Sequence, residues 1–247
     1  MINKKITVLG GAGFLGTSLC NRLVNSKFNF EIVDLKPSKK HLKNCKIGDV
    51  RDIESLRKNI TGNVIVNLAA VHTDNAKDKE AYYETNVLGA KNIVTVCDEK
   101  GIDKIIFTSS VAVYGFAEQE TDESGKINPF NEYGHTKYLA EEYFKNWYLT
   151  GNKCLLIVRP TVIFGEGNRG NVYNLFNQIN SGKFLMIGKG NNRKSMAYVE
   201  NVTAFLEACI KTNKAYGVFN YVDKPDLTMQ NLVSHIRDRL GEGRGVG

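Results

Sequence analysis

The first two thirds of the chain alternate short apolar runs with longer amphipathic segments. Asn63–Ala69 is of the first type, with consecutive β-branched residues, and Gly16–Asn25 is of the second, with leucines spaced for one helical face. The predicted strands are Ile6–Leu9, Phe30–Asp34, Asn63–Ala69, Ile105–Ser109 and Cys154–Val158, and the predicted helices are Gly16–Asn25, Asp52–Asn59, Tyr82–Lys100 and Tyr133–Thr150. This alternation predicts an α/β fold with a doubly wound parallel sheet that is covered on both faces.

The pattern changes after about residue 160. Gly, Asn and Arg become frequent between Phe164 and Gly170. The predicted elements beyond this point are a helix at Val172–Asn180, a strand at Phe184–Ile187, a turn at Gly188–Asn192, and helices from Asn201 to about Thr212 and from Met229 to about Leu240. We expect residues 1–163 and 164–247 to form two parts, the second of them small and ending in a flexible, glycine-rich segment at 241–247.

Composition limits the classes of function. The 247 residues are 42% apolar and 24% charged, and no apolar run approaches the roughly 18 residues that span a bilayer. Five cysteines form no CxxC pair, so we expect reduced thiols in a cytoplasmic protein and no metal site. The net charge of +7 fits a generally basic surface, and it also fits attraction to phosphate-rich ligands or an anionic membrane face. Lys and Arg do not cluster among aromatic residues, so no nucleic-acid partner is expected.

A glycine-rich turn joins the first predicted strand to the first predicted helix. Gly10, Gly13 and Gly16 have GxxGxxG spacing, and Phe14 and Leu15 lie between the last two. Glycine reaches positive φ cheaply, and because it lacks a Cβ it lets backbone amides approach a pyrophosphate at the helix N-terminus. A strand before the glycines and a helix after them is the setting of a dinucleotide site, so the sequence predicts a Rossmann-like fold in which these five residues bind the dinucleotide. A purely structural turn is the alternative.

Acidic residues at two strand ends indicate which dinucleotide binds. Asp34 closes the second strand, eighteen residues after the last of these glycines, where a carboxylate accepts hydrogen bonds from the adenosine ribose and repels a 2′-phosphate. NAD is therefore favoured, although Lys36 and Lys39 would suit the phosphate of NADP. Asp49, which precedes Val50, follows a third apolar stretch and either contacts the adenine or is an ordinary turn acid.

A tyrosine and a lysine four residues apart form the candidate catalytic pair. Tyr133 and Lys137 share one face of a predicted helix. A phenol with a pKa of about 10 is a poor base at neutral pH, but an adjacent ammonium and a positive nicotinamide ring both favour the phenolate. Ser110 follows an apolar strand at the edge where ligands bind in such sheets, so its hydroxyl is predicted to bond the reacting oxygen of the substrate. The alternative for Ser109 and Ser110 is that they satisfy their own turn.

Five segments occur in the order seen in extended short-chain dehydrogenases, and the chain resembles that family over essentially its whole length. The segments are Gly10-x-x-Gly13-x-x-Gly16, Val64-Ile-Val-Asn-Leu-Ala-Ala70, Thr85-Asn86-Val-Leu-Gly89, Thr108-Ser-Ser-Val-Ala-Val-Tyr-Gly115 and Tyr133-Gly-His-Thr-Lys137. The family includes NAD-dependent sugar 4-epimerases, 4,6-dehydratases and reductases. Three later segments, 159–174, 194–199 and 221–226, resemble its 4-epimerases that act on N-acetylglucosamine carried on a lipid diphosphate.

The resemblance implies a role for each candidate residue. Tyr133 is the base, Lys137 is its electrostatic partner and holds the nicotinamide ribose, and Ser110 is the hydroxyl ligand of the sugar. NAD is the implied cofactor, with further contacts from Leu68, Ala69, Ala70, Asn86, Ser109 and Pro160. The resemblance also implies a homodimer, built through a four-helix interface of the helices at 82–100 and 133–150.

Two positions select among the chemistries of the family. Its 4,6-dehydratases carry an Asp-Glu pair directly after the active-site Ser or Thr, where this chain has Val111 and Ala112. Neither side chain can move a proton, so elimination of water is disfavoured. We expect a 4-epimerase that interconverts GlcNAc and GalNAc on a diphosphate carrier, either a nucleotide or undecaprenol. A reductase and a non-catalytic NAD-binding protein remain as alternatives.

Residues of the second part are the candidates for binding a sugar diphosphate. They are Asn168, Arg169, Asn171 and Lys194, and a solvated loop is the alternative reading of the first three. Related epimerases usually have arginine at the position of Lys194 and asparagine at that of Val162, and their C-terminal substrate residues have no counterpart before Gly247. We therefore expect an incomplete substrate domain at 164–247. Peripheral association with the inner face of the membrane would follow from a lipid-linked substrate.

Overall fold

The computed structural model describes residues 4–72, 79–116 and 120–241 of the chain. Short parallel strands form a central sheet, and other short strands lie beyond residue 160. In chain order the strands are β1 (Lys5–Leu9), β2 (Asn29–Asp34), β3 (Cys45–Ile47), β4 (Val64–Asn67), β5 (Lys104–Thr108), β6 (Cys154–Pro160), β7 (Val162–Phe164), β8 (Arg193–Lys194), β9 (Met196–Tyr198), β10 (Tyr216–Tyr221) and β11 (Leu227–Thr228).

Helices connect the strands of the sheet and make up much of the second part. They are α1 (Phe14–Asn25), α2 (Ile53–Asn59), α3 (Lys79–Tyr82), α4 (Gly89–Lys100), α5 (Glu132–Leu149), α6 (Asn171–Asn180), α7 (Val199–Lys211) and α8 (Met229–Gly241). A π-helical turn, Tyr83–Leu88, joins α3 to α4 without a break, so the helix predicted at 82–100 is one segment with an internal change of pitch. Within the described ranges, no helix is long and apolar enough to cross a membrane.

The central sheet is parallel throughout and doubly wound. Its seven strands have the order β10-β6-β5-β4-β1-β2-β3, so the chain runs outward from β1 to one edge, returns, and runs outward to the other. This order is that of a Rossmann-type sheet, in which ligands bind beyond the carboxyl ends of the strands at the point where the winding reverses. The predicted fold class is confirmed.

Two apolar layers cover the sheet. On one face α2, α4 and α5 pack through residues such as Ile93, Phe144 and Trp147. On the other face α1 and α7 pack through residues such as Leu19 and Leu206. The inner strands β1, β4, β5 and β6 are thus buried on both sides, which explains why their sequences are apolar without alternation.

A small third cluster lies in the second part, where α6 packs on α8. The strand predicted at Phe184–Ile187 is wrong, because these residues form neither strand nor helix. Phe184 and Met186 pack against the α6–α8 cluster, whereas Leu185 and Ile187 are 82% and 89% exposed. The alternation of buried and exposed side chains is that of a strand, but the backbone pairs with no strand in the described part of the chain.

The sequence analysis did not predict strand β10. It pairs with β6 from Tyr216 to Tyr221 and forms one edge of the central sheet. The edge position and two residues with low strand propensity, Gly217 and Asn220, account for the weak signal. Segments beyond residue 163, namely α7 and β10, therefore complete the first part structurally. The division into a cofactor part and a substrate part at this residue stays a prediction. Of the flexible end predicted at 241–247, Gly241 is the last residue of α8 and residues 242–247 lie outside the described residues.

Candidate active site

The glycine-rich turn brings the start of α1 against the end of β4. Gly10 has φ +78°, and a Cβ there would lie 2.7 Å from the backbone nitrogen of Ala69. A Cβ on Gly16 would lie 2.5 Å from the carbonyl oxygen of Gly10. The helix begins at Phe14, after Gly13, whose missing side chain leaves the N-terminus without a side-chain cap. The uncapped amide groups at the start of α1, and the space left by the missing glycine side chains, suit the pyrophosphate of a dinucleotide.

Asp34 lies beside this turn at the carboxyl end of β2. Its Oδ2 accepts the amide of Ala12 at 2.9 Å, and its Oδ1 accepts the amide of Lys36 at 3.1 Å. A carboxylate has about four acceptor positions, so both oxygens keep capacity for the two ribose hydroxyls of a dinucleotide. The residue therefore holds the glycine turn, and its contact with an adenosine ribose stays a prediction.

The carboxylate of Asp49 is bound by a neighbouring side chain instead of being free to contact an adenine. Both of its carboxylate oxygens bind the Arg51 guanidinium, at distances down to 2.7 Å, and Arg51 also reaches Glu84. Burial acts to raise the pKa of Asp49, but the hydrogen bonds from Arg51 outweigh it and hold that pKa below its usual range. This geometry favours the turn-acid interpretation. Val50 is buried next to it, and its carbonyl accepts the side chain of Asn92 at 3.0 Å.

Tyr133 and Lys137 lie in the first turns of α5. The helix starts after Asn131, whose Oδ1 accepts the amide of Gly134 at 2.8 Å. Lys137 is 2% exposed. Burial lowers the pKa of its ammonium to about 7, although the carboxylate of Glu141 acts in the opposite direction. A lysine that changes charge near neutral pH, one helical turn from a half-buried tyrosine, suits acid–base chemistry on a hydroxyl group.

Ser110 follows β5 and caps the 3₁₀ turn Val111–Tyr114. Its Oγ accepts the amide of Ala112 at 3.1 Å. The cap uses a lone pair of the hydroxyl oxygen and does not consume its hydrogen. The turn therefore fixes the position of Ser110 while its O–H group keeps its donor capacity for a substrate oxygen.

Two predicted cofactor residues have protein partners for their side chains. Asn86, in the π-helical turn, bonds both the amide and the carbonyl of Val71 and donates to Thr136 Oγ1 at 3.0 Å. Ser109 is buried and donates from its hydroxyl to Glu141 Oε1 at 2.6 Å. These side chains hold the loops of the cleft in place, and their direct contact with a cofactor stays a prediction.

The remaining cofactor candidates lie at the carboxyl edge of the sheet. Leu68, Ala69 and Ala70 follow β4 and are half-buried, and Pro160 is the buried last residue of β6. Among the described residues, the buried hydroxyls of Thr108 and Thr161 at this edge have no hydrogen-bond partner. Because unpaired buried hydroxyls are uncommon, a bound ligand is a natural partner for them. The residues of the edge thus fit a dinucleotide.

The substrate candidates are divided between two elements. Asn168 accepts the amide of Gly170 at 2.8 Å and donates to the carbonyl of Ile163 at 3.1 Å, so its side chain closes its own loop. Arg169 and Asn171 are exposed near the start of α6. Lys194 lies on β8, which pairs with β11. The structure favours the loop interpretation for Asn168 and leaves the other three side chains as candidates.

Sequence reasoning missed a polar network behind the catalytic helix. Its members are Glu141, Arg159, Tyr114 and Asn220, together with Ser109. The one available signal was the position of Glu141, one turn beyond Lys137 on the same face of α5. Within the described ranges, no group of three or more His, Cys, Asp or Glu side chains could hold a metal ion.

The fold and the site together define a nucleotide-dependent enzyme of the Rossmann type, and comparison with known proteins identifies the family. The chain belongs to the NAD dependent epimerase/dehydratase family, whose model matches residues 6–221. The predicted family, enzyme class and cofactor, NAD, are thereby confirmed.

Two relatives show where in the family the chain lies. It is 44% identical over 245 residues to the N-acetyl-alpha-D-glucosaminyl-diphospho-ditrans,octacis-undecaprenol 4-epimerase of Escherichia coli O157:H7, covering 98% of this chain and 74% of that protein. It is 32% identical over 215 residues to a putative UDP-glucose 4-epimerase of Methanocaldococcus jannaschii, covering 80% of this chain and 70% of that protein.

Solved structures confirm the fold. The Thermus thermophilus UDP-glucose 4-epimerase in complex with NAD has a TM-score of 0.83 and 20% identity, covering 96% of this chain and 83% of that one. The UDP-N-acetylglucosamine 4-epimerase from Bacillus cereus has the same TM-score and identity, covering 96% and 82%. At this identity the likeness concerns the fold alone.

Proposed function

We propose that this protein is an NAD-dependent sugar 4-epimerase that interconverts GlcNAc and GalNAc on a diphosphate carrier. The observation that carries the proposal is the pair Tyr133 and Lys137, with Lys137 buried and its pKa lowered to about 7, at the carboxyl edge of a sheet that fits NAD. The E. coli relative is named as an epimerase at the same sugar position.

The side chains divide the chemistry as follows. Bound at the carboxyl edge of the sheet, NAD would supply the hydride acceptor, and then the hydride donor, for C4 of the sugar. Tyr133 takes the proton of the C4 hydroxyl and later gives it back. The Lys137 ammonium stabilises the Tyr133 phenolate and binds the nicotinamide ribose, and Ser110 donates to the C4 oxygen.

Elimination of water is disfavoured by the residues after Ser110. Val111 and Ala112 form the start of the 3₁₀ turn and carry no titratable group. A dehydratase needs an acid and a base near C5 and C6 of the sugar, and this turn offers neither. Besides the hydride exchange that NAD would supply, epimerisation needs only proton exchange at the C4 oxygen, which Tyr133 supplies.

A lipid diphosphate is the proposed carrier. Arg169, Asn171 and Lys194 are the proposed diphosphate ligands, and the relative with 44% identity has undecaprenol diphosphate in its name. Lysine is a point charge rather than a bidentate fork, so the contact at Lys194 is less directional than one from arginine. In this proposal residues 164–247 bind the substrate and residues 1–163 bind the cofactor.

A lipid-linked substrate requires access to the membrane surface. Leu185 and Ile187 project from the second part, and the exposed cations Lys183 and Lys189 flank them. Apolar side chains between cations suit the boundary between head groups and acyl chains of an anionic bilayer. We propose that the protein acts in the cytoplasm at the inner face of the membrane, touching it through this segment.

A homodimer is the proposed assembly. α4 packs beside α5 on one face of the sheet, and exposed apolar residues lie on α5 and on the π-helical turn that leads into α4. The largest of these are Tyr83, Leu88, Tyr143 and Leu149. A second copy that packed the same helices would bury them in a four-helix interface.

Product analysis tests the proposed function. Purified protein is incubated with undecaprenyl-diphospho-GlcNAc and, separately, with UDP-GlcNAc, and the released sugars are examined by mass spectrometry and NMR. We expect GalNAc of unchanged mass from the lipid substrate, and no product from Tyr133→Phe although that variant still binds NAD. A product lighter by one water or heavier by two hydrogens would indicate a dehydratase or a reductase, and NAD binding without turnover of either substrate would overturn the proposal.

A further inference from the structure

We propose that Glu141 and Arg159 are positioning residues, a buried ion pair that holds the active-site turn of Ser110 at a fixed place relative to the catalytic helix. The inference rests on the proposed function. It concerns residues that the sequence analysis did not select and that touch neither the sugar nor the cofactor in the mechanism above.

The two charges lie in the interior of the protein. Glu141 is 0% exposed and Arg159 2%. Nε of Arg159 lies 2.8 Å from Oε1 of Glu141, and Nη2 lies 2.5 Å from Oε2, so the guanidinium grips the carboxylate with two parallel bonds. The pair joins α5 to the carboxyl end of β6. A bond of this kind fixes the distance and the angle between the two elements.

Stability alone does not explain such a pair. Removing two charges from water is costly, and well-packed apolar residues in place of a buried ion pair often leave stability unchanged or improve it. Here Phe107 of β5 and Phe144 of α5 already pack against each other, with ring centres 4.7 Å apart. An apolar contact between the sheet and α5 is therefore present without the ion pair. A geometric role is therefore the better explanation for charges at this depth.

The pair holds both ends of the turn that contains Ser110. At the first end, Ser109 donates its hydroxyl to Glu141 Oε1 at 2.6 Å. At the other end, the hydroxyl oxygen of Tyr114 accepts a hydrogen bond from Nη1 of Arg159 at 2.6 Å. Because one ion pair holds the residue before Ser110 and the last residue of the 3₁₀ turn, Ser110 has little freedom to move away from α5.

The same carboxylate belongs to the helix that carries the catalytic pair. Glu141 lies one turn beyond Lys137 and two turns beyond Tyr133, so a displacement of α5 would carry all three together. The hydroxyl of Tyr114 also donates to Asn220 of β10 at 2.8 Å, which extends the network to the edge strand. The network thus sets the spacing between the proton acceptor, Tyr133, and the hydroxyl donor, Ser110.

Conservative variants separate positioning from packing. Ser109→Ala and Tyr114→Phe each remove one hydroxyl and leave the ion pair intact, whereas Glu141→Gln breaks the pair. Glu207→Gln is the matched control, since Glu207 is a buried carboxylate bonded to Ser26, Arg22 and Lys211 on the other side of the sheet.

Each variant is measured by kcat, KM, the affinity for NAD, the midpoint of thermal unfolding, and hydrogen exchange of the amides at 111–115. We expect Ser109→Ala and Tyr114→Phe to lower kcat by on the order of 10- to 100-fold, with KM, NAD affinity and the unfolding midpoint nearly unchanged and with faster exchange in the turn. Glu141→Gln should lower kcat further, and Glu207→Gln should lower the unfolding midpoint without changing kcat or exchange in the turn.

Unchanged exchange at 111–115 in Ser109→Ala and Tyr114→Phe would overturn the inference, and so would wild-type kcat in both. Weaker NAD binding by Ser109→Ala would instead make Ser109 a cofactor ligand and would also contradict a purely positioning role. Because exchange is measured without substrate, it tests the network even if the wild-type protein turns over no sugar. Failure of the proposed function is therefore distinguishable from failure of this inference.

Discussion

The Nζ atom of Lys137 lies 4.4 Å from the centre of the Phe107 ring. Phe107 belongs to β5 and is fully buried, so the ammonium sits against the face of an aromatic ring at the edge of the apolar core. The ring attracts the cation, but the surroundings supply far less solvation than water does. The protein therefore holds the Lys137 ammonium in surroundings that disfavour its charge, at the position where the proposed chemistry uses that charge.

Replacing Lys137 should stabilise the protein while it removes activity. The pKa of this ammonium falls from 10.5 to about 7 because of burial. The penalty is complete below pH 7, where the folded protein must carry the charge, and it fades as the pH rises towards 10.5. We expect Lys137→Met to raise the free energy of unfolding by several kcal/mol at most, at roughly 1.4 kcal/mol per pKa unit, with a larger gain at about pH 6 than at about pH 9.

Thermal unfolding of Lys137→Met across this pH range is the measurement. Lys145→Met is the control, because burial acts to lower the pKa of Lys145 but its hydrogen bond to Glu142 outweighs burial and raises that pKa. The control should lose stability rather than gain it. A gain for Lys137→Met that did not change with pH would show that packing and not charge is responsible.

Gly10 should tolerate no side chain. Gly10→Ala places a methyl group 2.7 Å from the Ala69 nitrogen in a backbone with φ +78°. Gly101→Ala is the matched control, since Gly101 has φ +65° and nothing within 4 Å of an added Cβ. The control should cost only the left-handed strain, about 1–2 kcal/mol. Gly10→Ala should cost more and should abolish NAD binding, as measured by calorimetric titration and denaturant unfolding; equal costs for the two variants would contradict the close approach seen here.

Asp34 should determine the preference for NAD. Asp34→Ser removes the charge that repels a 2′-phosphate and leaves Lys36 nearby. We expect NAD to bind about tenfold or more weakly, consistent with loss of a hydrogen bond to a charged group, and NADP to bind more tightly than it does to the wild-type protein. Fluorescence titration with both dinucleotides measures this. If the ratio of the two affinities stayed the same, the carboxylate would serve only to hold the turn at Ala12.

Glu31 should contribute stability that disappears in acid. This buried carboxylate accepts hydrogen bonds from Lys46, Thr61 and Thr7. Burial acts to raise its pKa, but the hydrogen bonds from Lys46, Thr61 and Lys5 lower it from 4.5 to about 2. Because the folded-state pKa is depressed, the contribution is complete above about pH 4.5 and is lost as the pH falls through about 2.

Glu31→Gln should therefore unfold more easily than the wild-type protein at neutral pH, by about 2–3 kcal/mol. The difference should shrink as the pH approaches 2, as followed by urea unfolding at a series of pH values. Glu54→Gln, an exposed residue on α2, should change stability little at any pH. A difference for Glu31→Gln that persisted undiminished in strong acid would mean that the lost packing, and not the charge, matters.

The sequence predicted the parts of the site that depend on neighbours along the chain. The glycine turn needs backbone conformations that glycine alone adopts readily, and Tyr133 and Lys137 share a helical face because they are four residues apart. The strands of the sheet were predictable because burial on both faces leaves an uninterrupted apolar run. Each of these signals is local, so a single sequence contains it.

The parts that could not be predicted depend on contacts between distant segments. Glu141 and Arg159 lie on different elements, and apart from its place one turn beyond Lys137, a glutamate in a helix rich in charged residues gives no sign that it is buried. Strand β10 lies at an edge, where one face is less covered and the pattern weakens. At Phe184–Ile187 the alternation of side chains was present, but a strand also needs a backbone partner, and the described part of the chain places none beside it.

The position of β10 beside β6 determines which fragments of the chain can be soluble on their own. β6 contributes Leu155, Leu156, Ile157 and Val158 to the two apolar layers, and β10 pairs with it from Leu155 to Pro160. A shortened chain that stopped at residue 163 would leave the β6 backbone as an open apolar border, ready to capture strands from other molecules. Expression of residues 1–163 alone should thus give aggregates, and the smallest soluble piece should extend through Tyr221.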